Sequence, residues 1–330
     1  MGELSVTLVD GFGRVHRDLR VSLTDRCNLR CSYCMPAEGV PWLPRAEMLT
    51  SDELVRLVTL LVRLGVTEIR LTGGEPTLRP DVVDLVRRFA ALGPEVSMTT
   101  NGMRLTELAG PLVQAGLARV NVSLDTLRPD RFRELTRRSG LDRTLAGLRA
   151  ARDAGLRPVR INTVLLRGVN DDEAVDLLAF ALAEGYELRF IEQMPLDAGH
   201  VWRREAMVTA DEILARLRAV YRLEPFGVRG SEPAERWTVD GGPGTVGVIA
   251  SVTRPFCAAC DRLRLTADGQ LRNCLFARDE SDLRGPLRAG ASEAELEARI
   301  RATIGAKRAG HGVDSPEFLQ PRRPMSAIGG

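Results

Sequence analysis

Arg20-Val-Ser-Leu-Thr-Asp-Arg-Cys27-Asn-Leu-Arg-Cys31-Ser-Tyr-Cys34 is the stretch on which the chain's reading turns. A strand-like run, Leu19–Leu23, is followed at once by three cysteines spaced C-x3-C-x2-C. Three thiolates fill three corners of a four-iron cube and leave the fourth iron without a protein ligand; a structural cluster uses four. An open iron is a place where a small molecule can bind and react. The competing reading is a zinc site completed by a histidine. His16, His200 and His311 are the chain's histidines, and none stands at a ligand-like spacing from the triad.

Working outward, strand-like and helix-like segments alternate. The strands expected are Leu19–Leu23, Glu68–Leu71, Glu95–Thr99, Arg119–Leu124, Val159–Leu165 and Leu188–Ile191. Between the first two, Thr50-Ser-Asp-Glu53 is a capping box. Apolar residues at helical spacing follow it, Leu54, Val55, Val58, Leu61 and Val62, and Gly65 closes the helix. A helix is expected from Pro80, and others over Thr106–Ala115, Leu141–Ala154 and Asp171–Ala183. Six βα units imply a parallel sheet with right-handed crossovers. Six are too few for a complete eight-stranded barrel. The expected fold class is therefore α/β, an open partial (β/α)6 TIM-like barrel, with chemistry at the carboxyl ends of the strands. After Ala210 the pattern changes. Val246–Val252 and Arg262–Leu265 read as strands, Asp268-Gly269 as a hairpin turn and Ser292–Ile304 as a helix. The domains expected are 1–210 for the barrel, 211–320 for a C-terminal module and 321–330 for a flexible tail ending in Gly329-Gly330.

The 330 residues carry 46 Lys+Arg against 44 Asp+Glu, a net charge of +2. This gives no bulk attraction to nucleic acid. Lys307 is the only lysine, so 45 of the 46 basic residues are arginine. Phosphate or carboxylate contacts must then be made by planar guanidinium forks. No apolar run reaches membrane-spanning length, and Met1-Gly-Glu-Leu-Ser-Val has no basic or apolar leader pattern. A cytoplasmic location is expected, with the six cysteines reduced and serving as metal ligands.

Cys257-Ala-Ala-Cys260, followed thirteen residues later by Cys274, forms a second trio and uses up the remaining cysteines. It reads either as a second cluster with an open iron or as a zinc knuckle completed by His311 or a carboxylate. Arg262 and Arg264 lie two apart on a strand, hence on one face. Two forks on one face suit an anion such as a phosphate or carboxylate. Arg20, Arg70 and Arg160 stand on barrel strands where a core residue would be apolar, and an inward arginine is costly without an anion.

The first triad, with Tyr33 before its last cysteine, resembles the signature of the radical S-adenosylmethionine (SAM) superfamily. The resemblance implies a 4Fe-4S cluster on Cys27, Cys31 and Cys34 that chelates SAM. Tyr33 would lie near the adenine, Gly74 of Thr72-Gly-Gly-Glu-Pro76 at the SAM amino group, and Ser123 and Met194 along the SAM pocket. The second trio narrows the resemblance to the GTP 3′,8-cyclases of molybdenum cofactor biosynthesis. Thr99-Thr-Asn-Gly, Asn121-Val-Ser-Leu-Asp, Arg189-Phe-Ile-Glu-Gln-Met, Phe256-Cys-x-x-Cys-Asp-Arg-x-Arg-Leu-Thr and the final Gly-Gly carry it over nearly the whole chain. It implies a second 4Fe-4S cluster and a radical reaction joining C3′ of GTP to C8. Arg20, Arg70, Thr99, Arg160 and the run Arg262, Leu263 and Arg264 would bind GTP, and Gly329 and Gly330 would reach into the active site. Arg160 stands where many family members carry lysine. The partners implied are an electron donor and the next pathway enzyme, cyclic pyranopterin monophosphate synthase; neither nucleic acid nor a membrane is expected, and a homodimer is allowed. The rival readings are a peptide-modifying radical SAM enzyme with an auxiliary cluster and a zinc-stabilised binding protein.

Overall fold

A computed structural model describes residues 7–315 and 317–329. The strands expected in the first two thirds are all present: β1 (Asp18–Ser22), β2 (Glu68–Thr72), β3 (Glu95–Thr100), β4 (Leu117–Ser123), β5 (Val159–Val164) and β6 (Glu187–Ile191). They are linked by α1 (Ser51–Arg63), α2 (Val82–Ala90), α3 (Leu105–Gln114), α4 (Pro129–Thr136), α5 (Leu141–Asp153) and α6 (Ala174–Glu184). The capping box forms as read, with Glu53 N donating to Thr50 Oγ1 at 3.2 Å and Thr50 N to Glu53 Oε2 at 2.8 Å. Gly65 takes a positive φ of 103° just past α1, the left-handed turn that glycine favours. Helix α4 goes beyond the sequence reading; its apolar residues Phe132 and Leu135 are too few to give a clear period.

The C-terminal segment contributes α7 (Ala210–Arg218), β7 (Leu223–Pro225), β8 (Glu235–Val239), β9 (Thr245–Ile249), β10 (Arg262–Leu265), β11 (Gln270–Arg272) and β12 (Ser281–Asp282). Helices α8 (Arg284–Arg288), α9 (Glu293–Gly305) and α10 (Met325–Ile328) complete it. Its strands extend the same sheet at both edges, in the order β12-β11-β10-β1-β2-β3-β4-β5-β6-β9-β8-β7. β10 runs parallel to β1, with Arg264 opposite Arg20, and β9 runs parallel to β6. Eight consecutive strands are thus parallel, and each contributes a residue to one cavity wall, so the sheet curls around it. On β1, Leu19 and Val21 are fully buried in the apolar core that also takes Leu54, Leu57 and Leu61 of α1, while Arg20 lines the cavity.

In place of a structureless tail, residues 325–328 form a helical turn. Ile328 is 1% exposed and joins an apolar cluster with Leu196, Val252 and Phe276. Arg323 anchors the approach, with a fork onto Asp268 at 3.0 and 2.8 Å. No helix among the described residues is long and apolar enough to cross a membrane.

Candidate active site

Cys27, Cys31, Cys34, Cys257, Cys260 and Cys274 all line the same cavity. The first trio sits on the loop after β1. That loop is fixed by the Gly73-Gly74 turn after β2: Gly74 N donates to Thr24 O and Glu75 N to Arg26 O, both at 2.7 Å. A Cβ on Gly74 would lie 2.3 Å from Arg26 O and 2.5 Å from Asp25 O, so the glycine is required by a neighbouring backbone. Glu75 is buried and accepts from Thr77 N at 3.0 Å, Thr100 Oγ1 at 2.7 Å and Asn101 N at 2.7 Å, which ties this turn to the end of β3. Tyr33 donates its hydroxyl to Asp125 Oδ2 at 2.7 Å and so holds the cysteine loop to the end of β4. Ser123, Met194 and Gly74 also face the cavity.

The second trio is arranged by different means. Arg272, 2% exposed, bonds Glu280 and the carbonyls of Ala277 and Leu275. It thereby braces the loop carrying Cys274. The His311 ring does not complete a zinc site: its Nδ1 accepts from Val313 N at 3.1 Å and its Nε2 pairs with Ser251 O at 3.0 Å. Among the described residues, no three His, Cys, Asp or Glu side chains converge as one metal ion would require. Thiolates on a cube each meet a different iron and need no such convergence.

Arg20, Arg70, Arg262 and Arg264 face the cavity, as does Thr99. They crowd one another. Burial, then Arg70 and Arg264, pushes the Arg20 guanidinium well below its usual range; burial and Arg262 bring Arg264 down to about 9. The Nε atoms of Arg20 and Arg262 are buried without a hydrogen-bond partner. Crowded, unsatisfied guanidinium groups suit a multiply charged anion. Two residues of the expected set lie elsewhere. Leu263 is fully buried in the apolar core, in register with Leu19, because its neighbours on the strand take the cavity face. Arg160 pairs with Glu187 at 2.7 Å and is not among the side chains lining the cavity. Gly329 meets the wall through Arg264, which donates to its carbonyl; Gly330 lies outside the described residues.

Two family models match the chain: the radical SAM superfamily over residues 21–181 and Molybdenum Cofactor Synthesis C over residues 186–313. A GTP 3′,8-cyclase of Streptomyces coelicolor is 61% identical over 328 residues, covering 98% of this chain and 96% of that protein. GTP 3′,8-cyclase 2 of Mycobacterium tuberculosis is 56% identical over 331 residues, covering 98% and 92%. The chain belongs to the GTP 3′,8-cyclase family. Among solved structures, Streptococcus suis SuiB superposes with a TM-score of 0.61 at 15% identity, covering 95% of this chain and 77% of that one. This likeness concerns the radical SAM fold alone.

Membership of the radical SAM superfamily implies a 4Fe-4S cluster and SAM. The residues fit. Burial pushes the thiols of Cys27 up to about 11 and Cys34 up to about 12, so their thiolate forms need a bound cation such as iron. Sequence reasoning missed several residues of the cavity wall. Arg189, Asn121 and Asn162 line the cavity, and each has a buried polar side-chain atom without a hydrogen-bond partner. Their signal was available: each is a polar residue at an inward position of a barrel strand, the criterion that singled out Arg20 and Arg70. Ser326, whose backbone N–H bonds Cys34, gave no such signal, because only the packed tail brings it there.

Proposed function

We propose that this radical SAM GTP 3′,8-cyclase divides its reaction between the two cysteine trios. Cys27, Cys31 and Cys34 would hold the SAM-binding 4Fe-4S cluster, and Cys257, Cys260 and Cys274 would hold a second cluster on the guanine side of the cavity. The observation carrying the reading is that both trios and a fan of arginines share one cavity. The chemistry supplied by the bound cofactors is radical removal of hydrogen from ribose C3′ of GTP and closure of C3′ onto guanine C8. Everything else is done by the chain. Tyr33, Gly74, Ser123 and Met194 position SAM. Arg20, Arg70, Arg262 and Arg264, with Thr99, hold the triphosphate through charge-assisted hydrogen bonds. Arg189 joins them, and Arg160 acts through Glu187, 2.7 Å from Arg160 and 4.0 Å from Arg189. Gly329 and Gly330 close the site, and the tail helix excludes water.

Residues 1–210 thus carry radical generation, 211–320 the second cluster, and 321–330 the closing tail. An electron donor must reduce the first cluster, and the product passes to the next enzyme of molybdenum cofactor synthesis, cyclic pyranopterin monophosphate synthase. Thiolate ligands call for a reducing compartment, which supports the cytoplasm. The test is Cys274→Ser, purified anaerobically. SAM cleavage should persist while cyclisation is lost; a variant that still cyclises GTP at the wild-type rate overturns the role of the second trio.

A further inference from the structure

Lys307 is the only lysine in the chain, and it is 4% exposed. It follows α9, where the negative end of the helix dipole favours a cation. Its Nζ donates to the carbonyls of Cys260 at 3.0 Å and Arg262 at 3.1 Å, and to Cys260 Sγ at 3.6 Å. His16 Nδ1 lies at 3.5 Å and accepts; the other ring nitrogen, Nε2, pairs with Asp10 Oδ2 at 3.1 Å. Asp10 is bound in turn by Arg14 at 2.6 Å. Among the described residues no carboxylate forms an ion pair with Lys307. A buried ammonium without a counter-charge is costly. The group that can supply one is Cys260, whose sulfur Lys307 reaches.

Arg262 adds a second cation to the same sulfur, with Nη2 donating to Cys260 Sγ at 3.4 Å. The first trio is surrounded differently. Cys27 Sγ accepts from the backbone N–H of Leu29 at 3.4 Å and Cys34 from the backbone of Ser326. The two trios share a cavity, but among the described residues the side-chain cations that donate to a cysteine sulfur, Lys307 and Arg262, both meet Cys260. Net charge and hydrogen bonds to the sulfurs set a cluster's reduction potential, and a fixed cation favours the more negative, reduced form.

We propose that Lys307 is a positioning residue that raises the reduction potential of the cluster on Cys257, Cys260 and Cys274 by donating to the Cys260 sulfur. This rests on the second cluster proposed above. The test is a redox titration of the anaerobic holoenzyme, read by electron paramagnetic resonance, after iron and sulfide analysis. Lys307→Met should make the second cluster harder to reduce by about tenfold in its equilibrium, ~59 mV for one electron. The first cluster should not move, and Lys307→Arg should retain most of the wild-type potential. Wild-type protein holding iron for a single cluster sinks the two-cluster reading itself. Two loaded clusters with unchanged potentials in Lys307→Met overturn the role of Lys307 alone. Should Lys307→Met fail to load the second cluster, Lys307→Arg decides: loading with a near-native potential supports the proposal, and loss of the cluster there as well makes Lys307 only a structural tether.

Discussion

Arg264 donates from its guanidinium to the carbonyl oxygen of Gly329, so the end of the chain is held by a side chain that lines the cavity. Gly329 has a φ of 89°, and a Cβ there would lie 2.5 Å from Thr72 Oγ1 and 3.2 Å from Ser22 Cβ. Gly329→Ala should displace the tail at a cost of about 1–3 kcal/mol. The expected result is a fall in turnover of roughly tenfold or more with iron content and SAM affinity unchanged. A fully active Gly329→Ala enzyme would show that this contact is dispensable.

Gly74→Ala is expected to act on the first trio through the backbone. The added methyl meets two carbonyl oxygens of the cysteine loop, which cannot yield as a flexible side chain could. Overpacking of this kind costs ~1–3 kcal/mol. The loop should shift and the first cluster should be lost, halving the iron per chain while the second cluster's signal persists. Retention of both clusters contradicts the role assigned to this turn.

Arg189 and Arg160 separate by partner. Burial, then Arg160, brings the Arg189 guanidinium down to about 10, and its Nη2 has no hydrogen-bond partner. Removing one charged hydrogen bond to the triphosphate costs ~1.5–3 kcal/mol. Arg189→Ala should therefore raise the KM for GTP by ten- to a hundredfold, roughly, with the KM for SAM unaffected. Arg160→Ala only frees Glu187 beside Arg189, so its effect should be smaller and in the same direction. Steady-state kinetics with GTP varied against saturating SAM checks both; the reverse order of effects rejects the assignment.

His16 makes stability depend on pH. It is fully buried, and burial together with Lys307 pushes its pKa down to about 4. The unfolded value is about 6.5. On acidification the unfolded chain takes up the proton first. Stability is therefore complete above about pH 6.5 and falls as pH drops toward 4, with a loss of roughly 1 kcal/mol by about pH 5.5. Anaerobic urea unfolding between about pH 7 and 5.5 should show this slope, and His16→Gln should flatten it. Parallel slopes for the two proteins would remove His16 from the account.

Much of the fold was legible because its signals are local. The capping box at Thr50, the closing glycine at 65 and the period-two and helical patterns place β1 to β6 within a residue or two. The weakly patterned C-terminal part was harder. β8 was missed although Asp240-Gly241 marks the turn that pairs it with β9, since Glu-Arg-Trp-Thr-Val lacks a clean alternation. At the site, inward polar residues identified Arg20 and Arg70. The same rule applied evenly would have found Asn121, Asn162 and Arg189, and register would have removed Leu263.

The sequence by itself determined the donor set: two trios of cysteines, the first in the radical SAM spacing, and an excess of guanidinium groups on strands. These are properties of residue type and spacing, which the chain carries unfolded. That β10 lies beside β1, that Lys307 and His16 meet behind Cys260, and that Ser326 and Gly329 return to the site were decided only by tertiary packing. Such contacts join positions separated by most of the chain, and no local pattern encodes them. They arise as the apolar faces of β1, β10 and α9 are buried in one core and Ile328 of the tail in a second cluster.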